Sequence, residues 1–212
     1  MKTKMTTILF MFILTSLFAD HAAYVASMMR NIELVYKAQT MEELQVAVNA
    51  FVRIGNAEKT KWEPFYYEAF GHIMMATRET DLSKKDAFLD QAAMAVDKAS
   101  AVLPNDSEIV AMEGFISMIR VTVDPATRGM KYSGAAMQSF SKAVALNPEN
   151  PRALALMAQM QLGTAQFFKA STAEACGTNA KALEKFATTK SENPLAPRWG
   201  KGMAEEMQAQ CK

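Results

Sequence analysis

The sequence predicts an all-α fold in which antiparallel helix hairpins stack as a solenoid closed by a C-terminal capping helix. Three observations carry that prediction. Apolar residues recur at helical spacing, as at Ala136, Met137, Phe140, Ala143, Val144 and Leu146. The prolines that stop such stripes, Pro104, Pro148 and Pro194, are separated by 44 and 46 residues, the mark of an internal repeat. Half of the 212 residues are apolar, with only 9 Gly and 7 Pro, a composition that suits a packed helical chain and argues against disorder.

Residues 1–19 read as a secretory signal, because Lys2 and Lys4 precede an apolar run from Ile8 to Phe18. That run is shorter than the roughly 20 residues a membrane span needs. Cleavage is expected after Ala19, with Ala22 and Ala23 as rival positions and an uncleaved anchor as the alternative. Removing Lys2 and Lys4 from the 23 basic residues leaves 21 against 22 acidic ones. Such a chain has no basic surplus with which to displace counterions from nucleic acid, so nucleic acid is excluded as a partner.

The rest, residues 22–212, is expected to form one repeat domain. From Tyr24 to Ala38 the stripe is Val25, Met28, Met29, Ile32, Val35 and Tyr36. Thr40-Met41-Glu42-Glu43 is a capping box that opens the second helix, from about Met41 to Ala57. The pair makes a first hairpin, about 22–57. Lys61 to Gly71 is the most aromatic stretch, and packing is its ordinary role, with a stacking platform for a ligand as the rival. Further hairpins are expected at about 62–104, 107–148 and 151–194, and a capping helix at 197–211, with Trp199 packing over the third hairpin.

The stretch Ala135–Asn150, with alanine, an aromatic, alanine and a closing Asn147-Pro148, resembles the second helix of a tetratricopeptide repeat (TPR). Gly71, Gly114 and Ala158 match the small residue of the first helix in such repeats, and Ala92, Ala136 and Ala182 that of the second. The two small residues lie 21, 22 and 24 residues apart in the three units, where the resemblance implies about 12. The surplus therefore falls between the two helices each time, near Thr77–Lys85, Val123–Gly134 and Phe167–Asn179. These are expected to be long turns on one edge, or else helices longer by a turn or two. Asn56–Trp62, Val123–Gly129 and Ser191–Gly200 further resemble exported TPR-containing proteins of the Bacteroidetes type. This resemblance implies an all-helical periplasmic protein and no catalytic residues.

Cys176 and Cys211 are the only cysteines. In an exported chain they are a candidate disulfide, worth roughly 3–4 kcal/mol by loop entropy; otherwise they are two thiols. No zinc-binding spacing, phosphate loop or nucleophile elbow is present, so no cofactor or metal is predicted. An enzyme is disfavoured, although paired carboxylates would leave no local signature. In the turn after Asp124-Pro125, Arg128, Lys131 and Tyr132 either fix the turn, through Asp124 and Arg128, or receive an acidic or carboxylated ligand. By the TPR resemblance, a concave groove is lined by Glu68, His72 and Met75, by Phe115, Met118 and Ile119, and by Arg152, Ala155, Gln159 and Leu162. The resulting expectation is a periplasmic interaction module that binds a protein or peptide. The alternatives are a self-associating envelope factor or, less favoured, an enzyme working in the groove.

Overall fold

The computed structural model describes residues 21–211; the signal segment expected at 1–19 lies outside the described residues. The described residues form nine helices and no strand. Helix α1 covers residues 21–37. It is followed by α2 (Met41–Ala57), α3 (Glu63–Arg78), α4 (Leu82–Val102), α5 (Ser107–Val121), α6 (Pro125–Leu146), α7 (Pro151–Phe167), α8 (Ala173–Thr188) and α9 (Lys201–Gln208). From α2 onward each helix packs on the next, and α5 also packs on both α3 and α7. The first helices of consecutive hairpins thus lie side by side. This is a TPR-like helical solenoid.

Five of the helices begin where the sequence supplies a side-chain acceptor for their exposed N–H groups. Thr40 and Glu43 form the reciprocal capping box of α2. Asp81, Asp106, Asp124 and Asn150 cap α4, α5, α6 and α7 through their side chains. The core is alanine-rich at the points of closest approach: Ala92, Ala136, Ala158 and Ala182 are all fully buried. Gly71 and Gly114 play the same part on the first helices. A methyl group on Gly71 would sit 2.5 Å from Val48 Cγ2, and one on Gly114 would strike the Phe140 ring.

The long turns on one edge do not exist. The connections are residues 79–81, 122–124 and 168–172, and the surplus has gone into the helices, with α4 reaching 21 residues and α6 reaching 22. Asp81 and Asp124 are the reason: each caps a helix several residues earlier than the repeat spacing implies, and a continued helix satisfies its own backbone groups. Gly129 consequently sits inside α6 and not at a positive φ. Among the described glycines only Gly200 has one, at 100°.

At the C-terminal end Cys176 of α8 and Cys211 form a disulfide that closes a 35-residue separation. Asn179, fully buried, donates to the Ala204 carbonyl at 2.9 Å. Together they hold α9 against α8.

Candidate functional site

The surface that a TPR usually leaves open is covered here by the chain's own segment 189–200. Leu195 is buried, and Tyr67 donates from its hydroxyl to the Leu195 carbonyl at 2.8 Å. The Trp199 ring stacks on Phe115 at 5.5 Å and lies 5.2 Å from Phe70. It therefore reaches the second hairpin as well as the third, to which the sequence assigned it. Its indole N–H donates to the Tyr66 hydroxyl at 3.1 Å. The Arg198 backbone N–H donates to Tyr36 at 3.1 Å, and its guanidinium pairs with Glu33 of α1 at 2.5 Å. Gly200 follows at positive φ, 3.1 Å from Arg152 Cγ and 3.0 Å from the Phe186 ring if it carried a methyl group. Only glycine makes that turn without strain.

Beneath this strap runs a polar chain across three first helices. Tyr66 of α3 donates to Glu108 of α5 at 3.2 Å. Arg152 of α7 grips Glu108 with two bonds, Nε to Oε2 at 2.8 Å and Nη2 to Oε1 at 2.6 Å. Burial opposes the Arg152 charge, but the bonds and charge of Glu108 more than offset it, so its pKa lies above the usual arginine value. Burial pushes the Tyr66 and Tyr67 hydroxyls well above the ordinary tyrosine range. Both stay neutral and act as hydrogen-bonding groups. The aromatic stretch at 61–71 thus packs into the core, with Phe65, Tyr66, Tyr67 and Phe70 all buried.

The residues expected to line the groove are accordingly dispersed. Glu68, His72 and Met75 are buried on α3. Glu68 lies 3.6 Å from Lys98, and the His72 ring stacks on Phe88. Burial raises the Glu68 pKa; burial and the Lys98 charge pull that of His72 down to about 4. Phe115 lies under Trp199, Met118 and Ile119 pack partly buried on the core, and Ala155 and Leu162 are buried. Arg152 is engaged by Glu108. Gln159 borders a cavity of about 230 Å³ between α7 and α9, beside Glu206, Gln166 and Gln210.

Arg128, Lys131 and Tyr132 lie on α6 itself, not in a turn. Arg128 bonds Asp86 of α4 at 2.6 Å, and Arg120 of α5 bonds the same carboxylate at 3.2 Å and Asp90 at 2.5 Å. Arg120 and Lys131 lie over the Tyr132 ring at 5.8 and 5.3 Å. The cluster clamps three helices together. Asp124, which the sequence offered as the partner of Arg128, instead caps Thr127.

What the sequence did not bring together is a second cavity, of about 450 Å³, behind the strap. Met29 of α1, the start of α7 and Phe186 near the end of α8 wall it, together with Ser191, Asn193, Pro194, Ala196, Pro197 and Arg198 of the strap and Lys201. Arg152, Arg198 and Lys201 line it and no acidic residue does. The prolines Pro194 and Pro197 were legible as a break in the helical pattern. That this break folds back over α1 and α3 was not.

No family model matches the chain, and no curated protein does. Solved structures similar to it include the following two. A TPR protein of Thermus thermophilus, TTC0263, is 17% identical over 82% of this chain and 89% of its own, with a TM-score of 0.55. The HusA haemophore from Porphyromonas gingivalis is 26% identical over 89% of this chain and 92% of its own, with a TM-score of 0.80. A TPR-like fold so similar, end to end, to that of a haemophore points to a binding role.

Proposed function

We propose that this protein is an exported haem-carrying protein, built on a TPR-like solenoid, and not an enzyme. One observation carries the reading: the similarity to the Porphyromonas gingivalis haemophore runs through nearly the whole of both chains. Export is supported by the basic-then-apolar start of the sequence and by the Cys176–Cys211 disulfide, a bond that persists in oxidising compartments such as the periplasm. None of the described helices is long and apolar enough to cross a membrane. The test is gel filtration of the purified protein after incubation with haem. Haem eluting with the protein at one per chain supports the reading, and haem separating from it counts against it.

A protein or peptide partner is the second reading, and a separate observation favours it. Phe167 and Phe168 are 80% and 69% exposed and meet edge to face with ring centroids 5.0 Å apart, and adjoining apolar side chains so open to water are a recurrent feature of interaction surfaces. Crosslinking in the native envelope tests it: a defined adduct lost in Phe167→Ser/Phe168→Ser supports a partner there, and an adduct unchanged by those substitutions does not.

A further inference from the structure

We propose that the 450 Å³ cavity behind the strap binds haem by its carboxylates, with Arg198 and Lys201 as the anion-binding pair and Met29 and Phe186 as apolar walls. The proposal rests on the haem-carrying reading and gives it a place and a mechanism. Haem is an apolar macrocycle with two propionate carboxylates, so its site needs apolar walls and cations in one concavity. The cavity has both, and its volume lies within the range of about 300–1,000 Å³ usual for small-ligand pockets.

The cations differ in availability. Arg152 has both arms of its fork on Glu108, so its charge is compensated there and it is a fixed part of the wall. Arg198 meets Glu33 through Nη2 alone, and both side chains are about half exposed. An exposed pair of that kind is worth little, and the guanidinium keeps further N–H donors for a ligand. Lys201 pairs only with Glu205, 3.4 Å away on its own helix and equally open. Helix ends add to the effect. Lys201 opens α9, whose N-cap is Gly200 and supplies no side-chain acceptor, so the first-turn N–H groups also favour an anion. Pro151 and Arg152 open α7 at the same cavity, but Pro151 has no N–H and Asn150 already accepts from the Arg152 and Ala153 N–H groups, so α7 adds only its dipole. Thr189, at the C-terminal end of α8, is the wall where helix polarity runs the other way.

The smaller cavity provides the contrast. It is lined by Glu206 and three glutamines and by no basic residue, which leaves a carboxylate without a partner. No histidine, cysteine or tyrosine lines the larger one, and Met29 is its lone sulfur. Recognition therefore falls to charge and apolar contact.

The experiment titrates haem into the wild-type protein, into Arg198→Gln/Lys201→Gln and into Met29→Glu, with the fold of each checked by circular dichroism. Met29 is 42% exposed, so a carboxylate there costs the core little while repelling the ligand. Both variants should bind haem about 10- to 100-fold more weakly than wild type. The dimethyl ester of protoporphyrin, which lacks the charges, should bind the wild type and the double variant alike. Haem bound equally by all three proteins overturns the site and leaves the haem reading standing. Haem not bound by the wild type overturns the haem reading, and this site with it.

Discussion

Arg152 and Glu108 meet as a two-point fork across α7 and α5, 44 residues apart in the chain. The separation is the repeat itself. Tyr66 to Glu108 spans 42 residues, Ser107 to Asn150 spans 43 and Asp86 to Arg128 spans 42. Equivalent positions of consecutive hairpins are therefore stitched by polar bonds. The hairpins register through hydrogen-bonding groups as well as through apolar packing. This matters because apolar stripes alone tolerate sliding, whereas a buried fork has one satisfying geometry.

Removing one partner of the fork should be costly. Arg152→Met leaves Glu108 a mostly buried carboxylate without its cation, and a loss of about 3 kcal/mol is expected in urea unfolding. Arg152→Met/Glu108→Leu, which removes both charges, should cost less than Arg152→Met alone. Equal or greater loss in the double variant would show that the pair is valuable in itself.

Close approach of α3 to α2 depends on Gly71. Gly71→Ala places a methyl group 2.5 Å from Val48 Cγ2, and overpacking of this kind costs about 1–3 kcal/mol. Adding Val48→Ala should recover most of the difference, measured as the shift in urea midpoint at constant slope.

Stability should fall as the solution is acidified from pH 6.5 toward 4. His72 is held neutral by burial and by Lys98, with its pKa near 4 against about 6.5 in the unfolded chain. Between those values the unfolded state binds the extra proton, so acid favours unfolding, by about 2–3 kcal/mol across the window. Glu68, raised by burial, contributes the opposite slope: its stabilisation is present at low pH and is lost as pH rises above the unfolded value. Replacing the imidazole in His72→Leu should flatten the decline between pH 6.5 and 4 in urea titrations. An unchanged decline would assign it to other groups.

Reduction should loosen the C-terminal end. The disulfide closes a 35-residue separation, which loop entropy values at roughly 3–4 kcal/mol. Adding reductant, or making Cys176→Ser/Cys211→Ser, should lower the melting temperature and increase hydrogen exchange in α9 first.

The hairpins were legible because their signals are local. An Asn-Pro stop, a Thr-x-x-Glu box and small residues at fixed intervals each report on a few neighbouring positions. The surplus between helices was located correctly in the chain but read as turns, since spacing alone fits a loop or a longer helix. The deciding detail lay in Asp81 and Asp124, which start their helices early. The groove was misread for a different reason. Phe115, Met75 and Arg152 fall where an open TPR would present them, yet the strap covers Phe115 and Glu108 captures Arg152. Tyr67 meets Leu195 across 128 residues of chain, and no spacing rule connects positions that far apart. The cationic cavity shares this origin, because Arg198 and Lys201 reach Met29 only once the strap has folded back.

The most direct measurement is calorimetric titration of the wild-type protein with haem, paired with thermal unfolding. A haem-carrying protein predicts a saturable transition at one haem per chain. It also predicts stabilisation of about 2.7 kcal/mol once free haem reaches a hundred times the dissociation constant. Heat without saturation, together with an unmoved melting temperature, would contradict it.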